Sequence, residues 1–141
     1  MQSCPLCAED GGRVAFRDEF LRVVRVDDSD LPGFVRVIVN AHVSEVTDLD
    51  PAARMRLLRT VFAVEEVQRR LLAPTKINVA SLGNAVPHVH WHVIPRFSDD
   101  AFYPQSIWGP RQRDTPAETL LARRARLGEL QQHLADAIGR L

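Results

Sequence analysis

The stretch His88–Ile94 reads HVHWHVI and is the most informative segment of this 141-residue sequence. Successive side chains on a β-strand point to opposite faces, so an extended conformation puts the three histidines on one face, about 6.5–7 Å apart. Val89, Trp91 and Val93 then occupy the other face, where they can fill a core beneath a sheet. Exposed polar positions are normally Lys, Glu, Thr or Ser, so three imidazoles on one face indicate a chemical role.

Further strands are predicted before this stretch. Val14 to Phe16 forms a short strand, and Phe20 to Val26 with Phe34 to Val39 forms a hairpin that has a long, turn-rich loop. Lys76 to Leu82 is a strand that ends at the turn Gly83-Asn84, directly before the histidines. Together with the strand from His88 to Pro95, these segments predict an antiparallel sheet of about five strands.

Two main helices are predicted. Asp50 is a typical N-cap residue and Pro51 fits the first helical position, so the first helix extends from there to Leu72. Thr115-Pro116-Ala117-Glu118 has the form of a capping box and begins the second helix. The apolar stripe of that helix is Leu127, Leu130, Leu134, Ile138 and Leu141. The order of elements predicts one α+β domain over residues 1–141, with the motifs in 4–97 and an irregular segment and helix in 98–141.

The composition limits the function classes. The sequence is 45% apolar and 26% charged, with 18 basic and 18 acidic residues and a formal net charge of zero. This balance argues against a nucleic-acid surface or a basic membrane contact, since both need excess positive charge. The start, MQSCPLCAED, lacks the basic and apolar regions of a secretory signal, and no apolar run approaches the roughly 20 residues of a membrane span. We therefore expect a cytoplasmic protein.

The histidines allow two kinds of chemistry. A His-x-His pair on a strand can chelate zinc, but a catalytic zinc site needs a third protein ligand and an open position for water. Alternatively, an imidazole attacks phosphorus while its neighbours hold the ring and neutralise phosphate charge. A neutral imidazole is nucleophilic near pH 7, and its second nitrogen needs an acceptor that fixes the tautomer. A third hypothesis is a nucleotide-binding module without catalysis, or a partner-binding protein whose C-terminal leucine stripe is the interface.

The seven residues His88–Ile94 fit the His-φ-His-φ-His-φ-φ signature, where φ is apolar, and the sequence therefore resembles the histidine triad (HIT) superfamily of nucleotide hydrolases and transferases. The context agrees, because Val37–His42 resembles the family's strand and histidine, and Val43–Leu49 resembles the segment that follows. The similarity extends from Cys4 to Phe97. Phe102–Gly109 is similar to a bacterial, diadenosine polyphosphate hydrolase-like branch. The resemblance implies a HIT-like fold.

The resemblance also implies a mechanism. His90 attacks the α-phosphate of a nucleoside phosphoramidate, adenylyl conjugate or dinucleoside polyphosphate and forms a covalent nucleotidyl-imidazole that water hydrolyses. His92 hydrogen-bonds the phosphate oxygens and the leaving group, and His88 is the third candidate catalytic residue. A carboxylate at the end of the second strand holds the ribose hydroxyls, and Asp27 or Asp28 is the candidate here. No cofactor is required for this chemistry.

Asn78 and Asn84 are candidate phosphate-side donors, although both also fit ordinary strand-end or turn positions. Arg96 is a further source of positive charge for the phosphate. The loop from Gly83 to Pro87 departs from the best-known family members, because it lacks their glycine, glutamine and serine run. How the leaving group is held is therefore the least defined part of the predicted site.

Cys4 and Cys7 form a Cys-x-x-Cys pair, which by spacing alone fits two unpaired thiols as well as a metal site. Some relatives bind a structural zinc through such a pair, a histidine like His42 and the first triad histidine, here His88. All four ligand types are present, and a Cys₂His₂ set is closed and tetrahedral. If zinc takes His88, that residue is structural. Family members are commonly homodimers, so we expect a homodimer that binds nucleotide.

Overall fold

The computed structural model describes residues 3–141, in which a five-stranded antiparallel sheet is the central element. The order of strands across the sheet is β1-β2-β3-β5-β4. The strands are β1 (Arg13–Arg17), β2 (Leu21–Arg25), β3 (Val35–Val39), β4 (Lys76–Ala80) and β5 (His90–Arg96). The helices are α1 (Pro5–Ala8), α2 (Pro51–Leu72), α3 (Ala117–Arg124) and α4 (Leu127–Gly139), with a 3₁₀ turn at Val46–Asp48. The predicted α+β fold is confirmed.

Helix α2 begins and ends where the sequence predicts. The Asp50 side chain accepts a hydrogen bond from the Ala53 amide at 2.9 Å, and Pro51 is the first helical residue. Ala73 ends the helix in the left-handed conformation, with φ 47°, and its amide bonds the Arg69 carbonyl. The helix thus turns back before Pro74, and strand β4 follows immediately.

The main core lies between one face of the sheet and helices α2 and α4. Alternation on the strands sends valines to this face, and α2 and α4 add their own apolar stripes. The fully buried members include Val23, Val37, Val93, Leu57, Val61, Val64, Leu130, Leu134 and Ile138. Because this face is filled by two helices, the chemistry-bearing side chains of β3 and β5 project from the opposite face.

The C-terminal part differs from its prediction in two respects. The predicted capping box at Thr115 is not formed, because the Thr115 hydroxyl donates to the Asp99 carbonyl at 2.7 Å, and α3 begins after Pro116 without a side-chain cap. The single predicted helix is two helices, separated at Ala125–Arg126. Leu130, Leu134 and Ile138 are buried as the stripe predicts, whereas Leu141 is exposed.

The irregular segment after β5 packs against the histidine face. A buried ion pair anchors it, in which the Arg96 guanidinium donates to both Asp100 carboxylate oxygens at 2.8 and 3.0 Å. Burial alone would raise the pKa of Asp100, but this pair and three backbone amides lower it below its ordinary value. Beyond the anchor, Phe102 and Ile107 pack on Phe34 and its neighbours. The segment therefore forms a wall beside the histidines.

Strand β5 begins at His90, two residues later than predicted. Val89 still pairs by its backbone, donating to the Val43 carbonyl and accepting from the Val39 amide. His88 precedes the strand, and its ring is therefore free to take a different direction from those of His90 and His92. Among residues 3–141, no helix is long and apolar enough to cross a membrane.

Candidate active site and metal centre

His90 is half-buried on β5, and its hydrogen bonding fixes the tautomer of the ring. Its Nδ1 lies 2.6 Å from the carbonyl oxygen of His88. A carbonyl only accepts, so Nδ1 carries the hydrogen and donates it. In the neutral ring the lone pair is then on Nε2, which is the arrangement that a nucleophilic imidazole needs. Such an acceptor is expected for a histidine that acts as a nucleophile.

His92 lies beside His90 on the same face and is almost fully buried, with 6% of its surface exposed. The two ring centroids are 4.9 Å apart in an edge-on arrangement, and the rings of Phe34 and Trp108 enclose His92 at 5.8 and 5.1 Å. Burial, with smaller effects of His90 and Arg36, lowers the pKa of His92 to about 4. Its Nδ1 is buried and has no hydrogen-bond partner within residues 3–141.

The burial of neutral His92 makes stability depend on pH. The ordinary pKa of the imidazole is 6.5 and the folded value is about 4, so the unfolded chain binds more protons between these limits. Above pH 6.5 the ring is neutral in both states and has little effect on stability, whereas between pH 6.5 and 4 the proton taken up by the unfolded chain destabilises the fold. From pH 7 to pH 5 the loss is about 2 kcal/mol. We expect His92→Gln to remove this component, measured as the free energy of unfolding in urea at both pH values.

Both proteins are measured with a chelator present, so that acid-dependent release of a metal does not contribute to the difference. Carboxylates titrate in both proteins alike, and the comparison isolates the imidazole. The same loss of stability between pH 7 and pH 5 in wild type and His92→Gln would show that His92 is not held neutral by the fold.

Arg36 also belongs to this site, although it was not among the site residues predicted from the sequence. It faces His92 across the β3–β5 pair, and it lines a cleft of about 330 Å³ together with His90. Burial lowers its pKa, and the carboxylate of Asp28 opposes this effect. A signal was present in the sequence, because Arg36 is the one charged residue in the apolar strand FVRVIV.

Cys4, Cys7, His42 and His88 form a separate cluster beside the start of β5. Their ligand atoms all lie within 4.8 Å of one another. The Nδ1 of His88 is 3.4 Å from the Cys4 sulfur and 3.5 Å from that of Cys7, and the Nδ1 of His42 is 3.3 Å from the Cys7 sulfur. A tetrahedral zinc with bonds of about 2.0–2.3 Å sets ligand separations near 3.5 Å, so the four residues fit this ion.

The second nitrogen of His88 supports the same interpretation. Its Nε2 donates to the Val39 carbonyl at 2.5 Å, which leaves Nδ1 as the acceptor nitrogen facing the sulfurs. A backbone acceptor on the far nitrogen is the usual support of a metal-bound histidine. Burial lowers the pKa of His88, which favours the neutral form that a ligand requires. Both nitrogens of His88 thus have partners outside the His90–His92 pair.

The remaining predicted site residues differ in their exposure and in the side chains that they contact. Asp27 is exposed and interacts with Arg25, whereas Asp28 is half-buried and interacts with Arg36. Asn78 is paired opposite Ile94 on the histidine face, and its Oδ1 accepts from Arg96 at 2.8 Å. Asn84 is exposed in the turn and makes no side-chain hydrogen bond among the described residues. The ribose and phosphate roles of these residues stay predictions.

Comparisons with known proteins agree with this geometry. Residues 8–99 match the HIT domain family. The asymmetrical bis(5′-nucleosyl)-tetraphosphatase of Schizosaccharomyces pombe is 35% identical over 75 residues, which are 50% of this chain and 41% of that protein. The chain therefore matches about two-fifths of the length of this curated relative.

Two solved structures extend the comparison over nearly the whole chain. A histidine triad protein from Marinobacter aquaeolei VT8 is 28% identical, with a TM-score of 0.71, and the match covers 95% of this chain and 98% of that one. A Zn-bound histidine triad family protein from Mycobacterium smegmatis is 25% identical, with a TM-score of 0.60 and coverage of 91% and 95%.

Proposed function

The chain belongs to the HIT domain family, and from this we propose that it is a nucleotide hydrolase in which His90 attacks the α-phosphate of its substrate. The observation that carries the proposal is the 2.6 Å hydrogen bond from His90 Nδ1 to the His88 carbonyl. This bond holds the ring and leaves Nε2 with its lone pair beside the cleft. The relative from Schizosaccharomyces pombe, a tetraphosphatase by name, supports a substrate of the nucleotide class.

The proposed reaction has two displacements. His90 Nε2 forms a bond to the α-phosphorus, and the bond from phosphorus to the leaving amine or phosphate oxygen breaks, with its electron pair going to the leaving group; a leaving amine takes up a proton from solvent. A water molecule then attacks the phosphorus and loses a proton to solvent. The imidazole departs with the electron pair on Nε2, and a nucleoside monophosphate is released. His92 donates a hydrogen bond to the phosphate oxygens or the leaving group, since its ring is neutral and lies 4.9 Å from the His90 ring. Substrates of this chemistry include nucleoside phosphoramidates, adenylyl conjugates and dinucleoside polyphosphates.

In this proposal zinc is structural. Cys4, Cys7, His42 and His88 would hold it, and the ion would tie the N-terminal segment to the start of β5. Its effect on His90 is indirect, because His88 supplies the backbone carbonyl that orients the catalytic ring. His88 therefore acts as a metal ligand and positioning residue rather than as a third group on the substrate.

The alternative of a zinc-dependent hydrolase with a His-x-His metal site gains no support from the described residues. Within residues 3–141 the cluster of side chains that could hold an ion consists of Cys4, Cys7, His42 and His88, and it does not include His90 or His92. A homodimer also remains a prediction. Strand β4 lies at an edge of the sheet, and exposed Val79 and Leu82 lie along or just beyond it, which is compatible with a second chain there.

The proposal is tested by trapping the intermediate. We expect that mixing the protein with adenosine 5′-phosphoramidate labelled at phosphorus, followed by an alkaline quench, places label on His90. Steady hydrolysis of this substrate should be nearly unchanged by EDTA while the protein stays folded, because the imidazole replaces a metal-bound water as nucleophile. Complete dependence on added metal would favour the metal-site alternative, and nucleotide binding without turnover would favour a non-catalytic module.

A further inference from the structure

The cleft beside His90 combines apolar walls with two charged side chains. Pro5, Leu6 and Val86 provide the apolar surface, and Arg36 and Glu9 provide the charged groups. Its volume, about 330 Å³, is at the lower end of the range for small-molecule sites, so it suits a nucleoside better than a larger leaving group. Because His90 also lines the cleft, the phosphate of a nucleoside that binds here would lie beside His90.

Arg36 presents a rigid set of hydrogen-bond donors to this cleft. One nitrogen, Nη1, donates to the Gly11 carbonyl at 3.2 Å, and no other hydrogen bond of its side chain is made within residues 3–141. Its Nε is buried without a partner, and its guanidinium carbon lies 5.4 Å from the centre of the Phe34 ring. The planar guanidinium group is thus held in place by β3 and by Gly11, while most of its N–H groups have no acceptor.

The charges around Arg36 favour a neutral ligand that carries hydrogen-bond acceptors, and they disfavour a phosphate. The carboxylate of Asp28 partly offsets the positive charge of Arg36. Glu9 lines the same cleft, and its side chain makes no hydrogen bond or ion pair with any described residue. A carboxylate in the cleft repels a phosphate, whereas it accepts hydrogen bonds readily from the N–H groups of a nucleobase.

We propose that Arg36 and Glu9 select guanine as the base of the nucleotide whose α-phosphate His90 attacks. Guanine presents the acceptors O6 and N7, which match an arginine fork, and its N1–H and N2–H₂ donors match a carboxylate. Adenine presents an N6–H₂ donor where guanine has O6, so Arg36 faces a donor. The proposal rests on the hydrolase function above and narrows its substrate class to guanosine nucleotides.

The test compares kcat/KM for guanosine and adenosine 5′-phosphoramidates that carry the same amine. For wild type we expect a preference for guanosine of roughly 10- to 100-fold, the range of one good bidentate base contact. Arg36→Met should bring the ratio close to one. Arg36→Lys should not restore it, because the ammonium keeps the charge but lacks the fork. Glu9→Gln, at an exposed position that the fold tolerates, should lower the ratio several-fold.

Two results would overturn the assignment. One is a wild-type ratio at or below one. The other is a fall in kcat/KM in Arg36→Met that is equal for the guanosine and adenosine substrates, together with wild-type kcat/KM in Arg36→Lys. That pattern is typical of a contact between a positive charge and the phosphate. If wild type hydrolyses neither substrate, the hydrolase proposal fails, and calorimetric binding of GMP and AMP then decides the role of Arg36 separately. Tighter GMP binding that is lost in Arg36→Met supports it, and equal binding rejects it.

Discussion

Replacement of His90 by alanine is expected to lower kcat for a nucleoside phosphoramidate by about 10⁴- to 10⁶-fold, the scale on which enzymes respond to loss of their nucleophile. The variant has no group at this position that can bond phosphorus, and His92 is enclosed by the rings of Phe34 and Trp108. The fold should be kept, because the His90 side chain is half-exposed and its neighbours Val89 and Trp91 pack in the main core. Single-turnover hydrolysis measures the effect.

A matched variant separates loss of the nucleophile from loss of any histidine. His133 lies on α4, where its contact is with Arg70, and His133→Ala should keep the wild-type rate. Nucleotide binding to His90→Ala, measured by calorimetry, should stay within a few-fold of wild type. More than a tenth of the wild-type rate in His90→Ala would refute the nucleophile assignment, whatever the other variant does.

The sequence was sufficient to predict the parts of the fold that depend on local patterns. Alternation predicted all three histidines on one face and Val93 in the core. His90, His92 and Val93 lie as predicted. The prediction is wrong for His88, which precedes β5 and turns its ring toward the cysteines. Asp50 and Pro51 gave the start of α2, because a cap and a proline act on the residues next to them. The four candidate zinc ligands were predicted from a resemblance, and the structure brings their side chains together.

The parts that failed or were missed depend on contacts between distant residues. Thr115 has the sequence of a cap, but its hydroxyl is used by the carbonyl of Asp99, 16 residues earlier. The direction of the His88 ring is set by the cysteines, 81 and 84 residues away, and no periodicity reports this. Arg36 reads as a surface charge until β3 is known to lie between β2 and β5.

The largest expected effect on stability comes from removing the metal centre. We expect the double variant Cys4→Ser, Cys7→Ser to lose about one zinc per chain, because serine hydroxyls do not replace thiolate ligands. At zinc about a thousandfold above its dissociation constant, the ion contributes about 4 kcal/mol to folding. A loss of this size lowers the melting temperature of a domain of this length by on the order of 10 °C. Elemental analysis and thermal unfolding measure the two effects.

Two histidine variants sharpen the test, since His42→Ala removes a proposed ligand whereas His133→Ala removes a histidine outside the cluster. Zinc content and melting temperature should fall in His42→Ala and stay at the wild-type level in His133→Ala. Below the melting transition, folded His42→Ala should hydrolyse phosphoramidate within about tenfold of wild type, because the His88 carbonyl still orients His90. A metal-free wild type with full stability would remove the site and return Cys4 and Cys7 to unpaired thiols. Loss of the chemical step in folded, zinc-free protein would instead place the metal in the reaction.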